Sequence, residues 1–148
     1  MIAETLKQLF ERDLHKLKAE IEQYQNDDRI WYIEKSIANS AGNLCLHLIG
    51  NLNAYIGVGL AKTGYIRQRD LEFSLKNIPK AELIQKIEET ITVVEKALNN
   101  LSDGDMDKDF PILIWDKRTK MEFTLLHLLT HLNYHLGQVN YHRRLLDV

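Results

Sequence analysis

The scarcity of proline most constrains the fold of this 148-residue chain, because proline interrupts both helices and central strands. Only two prolines and seven glycines occur, so long stretches are free to form helices. In these stretches apolar residues recur at steps of three and four, the spacing of one buried helix face. The sequence therefore predicts an all-α fold.

We predict four helices, covering about residues 2–25, 40–62, 79–101 and 119–146. The second is apolar around most of its circumference, which is typical of a central helix or of a subunit interface. Four helices of this length favour a four-helix bundle in a single domain of residues 1–148. The connections after the first two helices exceed a dozen residues, which favours at least one crossover connection.

Three segments between the helices carry weaker signals. Residues 30–33 are apolar and are predicted to be an extended linker that packs on the bundle. Residues 65–77 are predicted to be a polar connection, and residues 110–115 an extended segment that could form a small hairpin. One such piece does not make a sheet.

Composition excludes several classes of function and location. The formal net charge of −2 provides no basic surface for nucleic acid. No stretch reaches the ~18 apolar residues of a membrane span, and the early charges argue against a signal peptide. Cys45 is the single cysteine, so no internal disulfide forms and a reducing compartment fits. We therefore expect a cytoplasmic protein.

Histidines near the C-terminus suggest a metal site. His131 and His135 are four residues apart and so lie on one face of the last predicted helix. A third histidine, His47, belongs to a polar i, i+4 series on the apolar second helix, formed by Asn43, His47, Asn51 and Tyr55. If the two faces meet, three neutral imidazoles converge. Such a set suits Zn²⁺, Ni²⁺ or Fe²⁺, with one or more positions left to water or substrate.

The remaining candidates are assigned other roles. His127 is predicted to be a core residue or to support the site, because successive i+4 steps drift by about 40°. His142 is predicted to be a solvated cation near the helix end, and His15 a surface residue. Cys45 is interpreted as a buried structural thiol. Asp116 and Glu122 are expected to serve the solvated first turn of the last helix, although a role as a general base or beside the site stays open.

Several motifs resemble those of a known family. They are His131-x-x-x-His135-x-Gly137-Gln138 in the last helix and His47-Leu-x-Gly50-Asn51 in the second. The chain resembles the DinB/YfiT-like superfamily of metalloenzymes, and residues 36–44 and 63–73 look like an uncharacterised bacterial subgroup. The resemblance implies a four-helix bundle, often homodimeric, with a divalent metal held by His47, His131 and His135. The damage-inducible name of the founding member does not imply DNA binding.

The resemblance also implies a choice of activities. Some relatives are thiol S-transferases or isomerases that use bacillithiol, mycothiol or glutathione, and others are described as metal-dependent hydrolases. We expect a thiol S-transferase of the bacillithiol type, acting on a small-molecule thiol and an electrophilic substrate, with Arg67 and Arg69 as candidates for binding carboxylates of the thiol. A hydrolase would need an acidic general base near the metal, and none is evident from sequence. The remaining alternative is a non-catalytic dimeric bundle with a vestigial site.

Overall fold

The computed structural model describes all 148 residues and consists of helices and connecting segments, without a strand. The five α-helices are α1 (Ile2–Glu22), α2 (Ala41–Leu52), α3 (Arg69–Ser74), α4 (Lys80–Asn99) and α5 (Met121–Leu146). α1 packs against α4 and α5, and α2 packs against α3, α4 and α5. The prediction of an all-α bundle is confirmed, and the crossover connection stays a prediction.

The long outer helices bury the faces that their periodicity predicts. α1 buries Leu6, Phe10, Leu14, Leu17 and Ile21, which repeat at steps of three and four. α4 and α5 contribute matching apolar faces, so that one core of buried hydrophobic residues runs through the bundle. None of the helices is both long and apolar enough to cross a membrane.

Helix α2 is the central element, and all twelve of its residues are buried. Its first turn is capped by Ser40, whose hydroxyl oxygen accepts a hydrogen bond from the backbone N–H of Asn43 at 3.1 Å. The α-helical part ends at Leu52 and continues as a π-helical turn, Asn53–Gly57. Helical residues continue through Gly59, so the predicted end at residue 62 is about three residues too late. The side chain of Asn53 bonds both Ile49 O and Thr90 Oγ1 at 2.9 Å, which ties the altered turn to α4.

The connecting segments differ from the predictions made for them. Residues 27–31 form a 3₁₀ helix, not an extended linker, which buries Ile30 and Trp31. The Trp31 ring lies against Gly42 of α2, where a Cβ would come within 2.6 Å of it. Residues 65–77 are not only a connection, since they contain α3. Residues 110–115 form no strand. The predicted pairing with the following segment is limited to an isolated antiparallel bridge between Asp109 and Lys120 and a hydrogen bond from Phe110 N–H to Thr119 O at 2.8 Å.

Candidate metal centre

Helices α2 and α5 bring three histidines together. His47 lies on α2, and His131 and His135 lie one turn apart on α5. One nitrogen of each side chain lies within 4.8 Å of the others. The Nε2 atoms of His47 and His131 are 3.1 Å apart, although 84 residues separate them in sequence. The polar face of α2 thus meets the histidine pair of α5, as the spacing predicts.

Hydrogen bonds orient two of the three rings. The Nδ1 atom of His47 lies 3.0 Å from Glu72 Oε1, and that of His135 lies 2.7 Å from Gln138 Oε1. Since both oxygens are acceptors, each Nδ1 carries the proton and each Nε2 keeps a lone pair. The third ring differs, because the Nδ1 atom of His131 is buried without a hydrogen-bond partner.

Burial favours the neutral form of His47 and His131. Desolvation, together with smaller contributions from the neighbouring His135 and His47, lowers the pKa of His131 to about 4. Desolvation also lowers the pKa of His47, and it outweighs the opposite effect of the Glu72 hydrogen bond. Neutral imidazole is the form that binds a metal ion.

This donor set fits a divalent cation. Two nitrogens bound to one Zn²⁺ at about 2.0–2.1 Å lie roughly 3.3 Å apart in a tetrahedral site. The 3.1 Å between the Nε2 atoms of His47 and His131 is close to that separation. Each oriented Nδ1–H has an oxygen acceptor, which is the usual environment of metal-bound histidine.

Sequence reasoning missed Glu72, the carboxylate beside this centre. Glu72 lies on the short helix α3 and is buried. Arg67 holds it from the other side, with Nε 2.8 Å from Oε2 and Nη2 2.9 Å from Oε1. The chain makes room for the carboxylate at Gly50, where a Cβ would lie 1.9 Å from Glu72 Oε2. The signal was faint, a glycine three positions after His47 and an arginine–glutamate pair in a polar segment.

Asn43, the first residue of the polar series on α2, fixes α3. Its Nδ2 donates to the backbone oxygens of Glu72 and Leu75, both at 2.9 Å. Further along the series, Asn51 is buried and its Oδ1 has no partner. Tyr55 lies with its ring centroid 5.8 Å from the Arg67 guanidinium carbon. The series therefore serves the Glu72–Arg67 pair as well as the histidines.

Other predicted residues lie outside the centre. Arg69 is exposed and stacks over Phe73, with its guanidinium carbon 5.3 Å from the ring centroid. Asp116 and Glu122 are exposed, and Glu122 belongs to the first turn of α5. His15 is exposed and Cys45 is buried, as predicted.

The prediction for His142 was wrong, and that for His127 was wrong in part. His127 is exposed and so is not a core residue, and its ring meets the edge of Trp115 at a centroid distance of 4.6 Å. Its alternative role, support of the site, stays a prediction. His142 is buried, not solvated, because the end of α1 and the following segment cover it. Its Nδ1 lies 2.7 Å from the Tyr24 hydroxyl and its Nε2 lies 2.8 Å from Tyr32 O.

Comparison with protein families places the chain. The sequence model described as "Protein of unknown function (DUF1572)" matches residues 2–147, a range that includes all three clustered histidines and Glu72. The chain belongs to the DUF1572 family. No curated protein matches the sequence.

A cavity in this DUF1572 protein borders the histidine centre. It has a volume of about 850 Å³, and His135 and Gln138 form part of its wall. Much of the remaining lining is apolar or aromatic, contributed by Leu44, Tyr134, Tyr141, Leu145 and Leu146. The segment 34–39 closes one side and adds Lys35, Ser36 and Asn39. This volume and mixed lining are typical of small-molecule sites.

Proposed function

We propose that this DUF1572 protein is a DinB-like metal-dependent enzyme that transfers a small-molecule thiol, of the bacillithiol type, to an electrophilic substrate. The cation is divalent (Zn²⁺, Ni²⁺ or Fe²⁺), and its ligands are His47, His131 and His135. The observation that carries the proposal is the convergence of three imidazoles from two helices, with their ligand nitrogens within 4.8 Å of one another. The motifs shared with the DinB/YfiT-like superfamily add support.

The chemistry follows from the centre and its cavity. When bound, a divalent ion supplies a Lewis acid that favours the thiolate at neutral pH. The thiol sulfur forms a bond to an electrophilic carbon as the bond from that carbon to its leaving group breaks. The leaving group keeps the electron pair, and the thiol proton passes to solvent. The cavity beside His135 holds the organic parts of the two substrates.

The state of Glu72 favours transfer over hydrolysis. A metal-dependent hydrolase uses an acidic residue as general base for water. Glu72 is the acidic residue beside the histidines, but Oε1 accepts from His47 and Arg67, and Oε2 accepts from Arg67. With both oxygens engaged and the carboxylate buried, Glu72 is poorly placed to take a proton from water.

Because Arg67 is paired with Glu72, we expect a different cationic side chain to bind a carboxylate of the thiol. The Nε and Nη2 atoms of Arg67 already donate to Glu72, and Arg69 stacks on Phe73 away from the cavity lining. Lys35 lines the cavity next to Glu34 and belongs to none of the ion pairs of the structure. We therefore assign this role to Lys35 in place of the two arginines.

The proposal includes a homodimer located in the cytoplasm, with no nucleic-acid or membrane partner. α5 carries exposed apolar side chains at positions that share one helix face, namely Phe123, Leu126, Tyr134, Tyr141 and Leu145. The last three also line the cavity, so the proposed interface reaches the cavity wall. An exposed apolar stripe of this length is typical of an interface. A single free cysteine suits the reducing cytoplasm.

Elemental analysis of untagged protein, never exposed to chelator, tests the metal. We expect about one transition-metal ion per chain, and loss of that ion in His135→Ala but not in His15→Ala, whose histidine is exposed on α1. Metal retained by His135→Ala would show that the ligands are wrongly chosen. Absence of metal from the unaltered protein would overturn the enzyme proposal and favour the alternative, a non-catalytic bundle.

A panel of thiols with a chromogenic electrophile tests the reaction. We expect turnover that requires both the thiol and the metal. Turnover of an ester or amide without thiol would overturn the transferase in favour of the hydrolase.

A further inference from the structure

Glu72, Arg67 and His47 form a buried hydrogen-bonded network of charged and polar groups. Arg67 contacts both carboxylate oxygens of Glu72, and Glu72 Oε1 contacts His47 Nδ1 at 3.0 Å. Glu72 and His47 are buried, and the Arg67 side chain is largely buried. Buried pairs of this kind are held far more firmly than exposed ion pairs, because solvent does not compete for them.

This hydrogen-bonded network determines the tautomer of His47. A lone pair on Nδ1 would face the carboxylate at 3.0 Å, whereas a proton there makes a hydrogen bond to it. Arg67 Nη2 also lies near Nδ1, but at 3.4 Å, and its closer acceptor is Glu72 Oε1 at 2.9 Å. The proton of neutral His47 is therefore on Nδ1, and the lone pair of Nε2 faces His131.

Residues around Glu72 hold its carboxylate beside His47. Gly50 leaves the space into which Glu72 fits, since a Cβ there would meet both Oε2 and Cδ. Asn43 anchors the end of α3 through the backbone oxygens of Glu72 and Leu75. Together with the pairing to Arg67, these two features serve one contact between α3 and His47.

We propose that Glu72, held by Arg67, is a positioning residue that fixes His47 as the Nδ1–H tautomer and so presents Nε2 to a divalent cation. The step to the cation rests on the proposed function, whereas the tautomer belongs to the protein alone. Outer carboxylates of this kind typically change metal affinity by 10–100-fold.

Two variants and two measurements test this positioning role. Long-range ¹H–¹⁵N NMR of the metal-free protein at neutral pH reports the tautomer of each histidine, with His47 assigned from the signals lost in His47→Gln. We expect Nδ1–H in the unaltered protein and a shift towards Nε2–H in Glu72→Ala. Glu72→Gln restores an acceptor of the same length, so we expect it to keep most of the Nδ1–H form.

Zn²⁺ affinity, measured by competition with a chromophoric chelator, should weaken by about 10–100-fold in Glu72→Ala and less in Glu72→Gln. The His135 signals serve as the internal control, because Gln138 and not Glu72 orients that ring. An unchanged His47 tautomer in both variants would overturn the proposal even if zinc still binds. A changed tautomer in a protein that binds no zinc would instead refute the metal-dependent function alone. If Glu72→Ala does not fold, the single variants Glu72→Gln and Arg67→Met are compared with the unaltered protein in its place.

Discussion

The missing side chain at Gly50 allows a carboxylate to lie against α2, because a Cβ there would come within 1.9 Å of Glu72 Oε2. Glu72 is hydrogen-bonded to Arg67 and His47, so its carboxylate cannot move aside for a Cβ without breaking these bonds. We expect Gly50→Ala to lower the free energy of unfolding by about 1–3 kcal/mol, despite the better helix propensity of alanine. Urea denaturation of the metal-free protein measures the change.

Gly137 provides the matched control for this substitution. It also lies inside a long helix, but it is exposed and a Cβ there would meet nothing within 4 Å. Gly137→Ala should therefore raise the free energy of unfolding by about 0.5–1 kcal/mol through helix propensity alone. If both alanine variants gain stability, the close approach at Gly50 is not a constraint on the fold.

His142 should make stability depend on pH. Burial lowers its pKa, and the neutral ring is satisfied on both sides, accepting at Nδ1 from the Tyr24 hydroxyl and donating from Nε2 to Tyr32 O. The unfolded chain binds a proton at pH values where folded His142 does not. His142 therefore makes its full contribution to the free energy of unfolding above about pH 6.5. This contribution is lost as the pH drops from there through the lowered pKa of His142.

Urea denaturation at about pH 7.5 and about pH 5.5 tests this sign. The unaltered protein should lose more stability between the two values than His142→Gln. His131 contributes in the same direction, since its pKa is also lowered, but it is present in both proteins and cancels in the difference. An equal loss in the two proteins would mean that His142 does not titrate differently on folding.

Individual residues were predictable where periodicity carries the information. The i, i+4 spacing places His131 beside His135, and the polar series on α2 singles out His47. Glu72 and Arg67 have no such pattern, because their positions depend on how a short helix folds back onto α2. His142 was misjudged since Arg143 and Arg144 follow it, while the groups that bury it lie more than 100 residues earlier in sequence.

The helical elements were predictable in proportion to their length. α1, α4 and α5 each bury a periodic face over twenty or more residues, and their ends lie within a few residues of the predicted ones. α3 has six residues, too few for a periodic signal. The π-helical turn after α2 was also missed.

The attachment of α3 to α2 depends on Asn43, whose side-chain N–H groups satisfy the backbone oxygens of Glu72 and Leu75. Asn43→Ala leaves these oxygens without their donor, so we expect a loss of about 1–3 kcal/mol in unfolding free energy. Hydrogen exchange of the α3 amides should also accelerate more than that of α4.

Asn100→Ala is the comparison, because Asn100 makes an exposed bond to Lys96 O. That variant should change stability by less than about 0.5 kcal/mol. Equal effects of the two substitutions would show that α3 is held by packing and not by Asn43.

At the scale of the whole molecule, one face of α5 carries exposed apolar side chains, of which Phe123 packs edge-on against Trp115 at a centroid distance of 5.9 Å. If this face pairs with a second copy, a charge in its middle is costly, since an unpaired buried charge cannot be solvated. By light scattering, we expect the unaltered protein to be a dimer and Phe123→Glu to be a monomer. Phe123 is exposed and lies outside the cavity lining, so the substitution spares both the core and the metal centre.

Leu113→Glu is the matched variant for this measurement. Leu113 is similarly exposed but belongs to the connection before α5, so its charge should leave the dimer intact. Dissociation by both variants would show that the interface is not confined to α5, and a dimer that survives Phe123→Glu would place it elsewhere.

The complete burial of α2 has a consequence for the timescales of the centre. Amides in a helix with no exposed residue exchange with solvent only when the protein unfolds globally, whereas a six-residue surface helix such as α3 opens locally at much lower free energy. His47 therefore belongs to the part of the protein that stays in place for as long as the protein is folded. Glu72 lies on the element that opens more readily, so its place beside the ring depends on the bonds from Arg67 and Asn43 that hold α3.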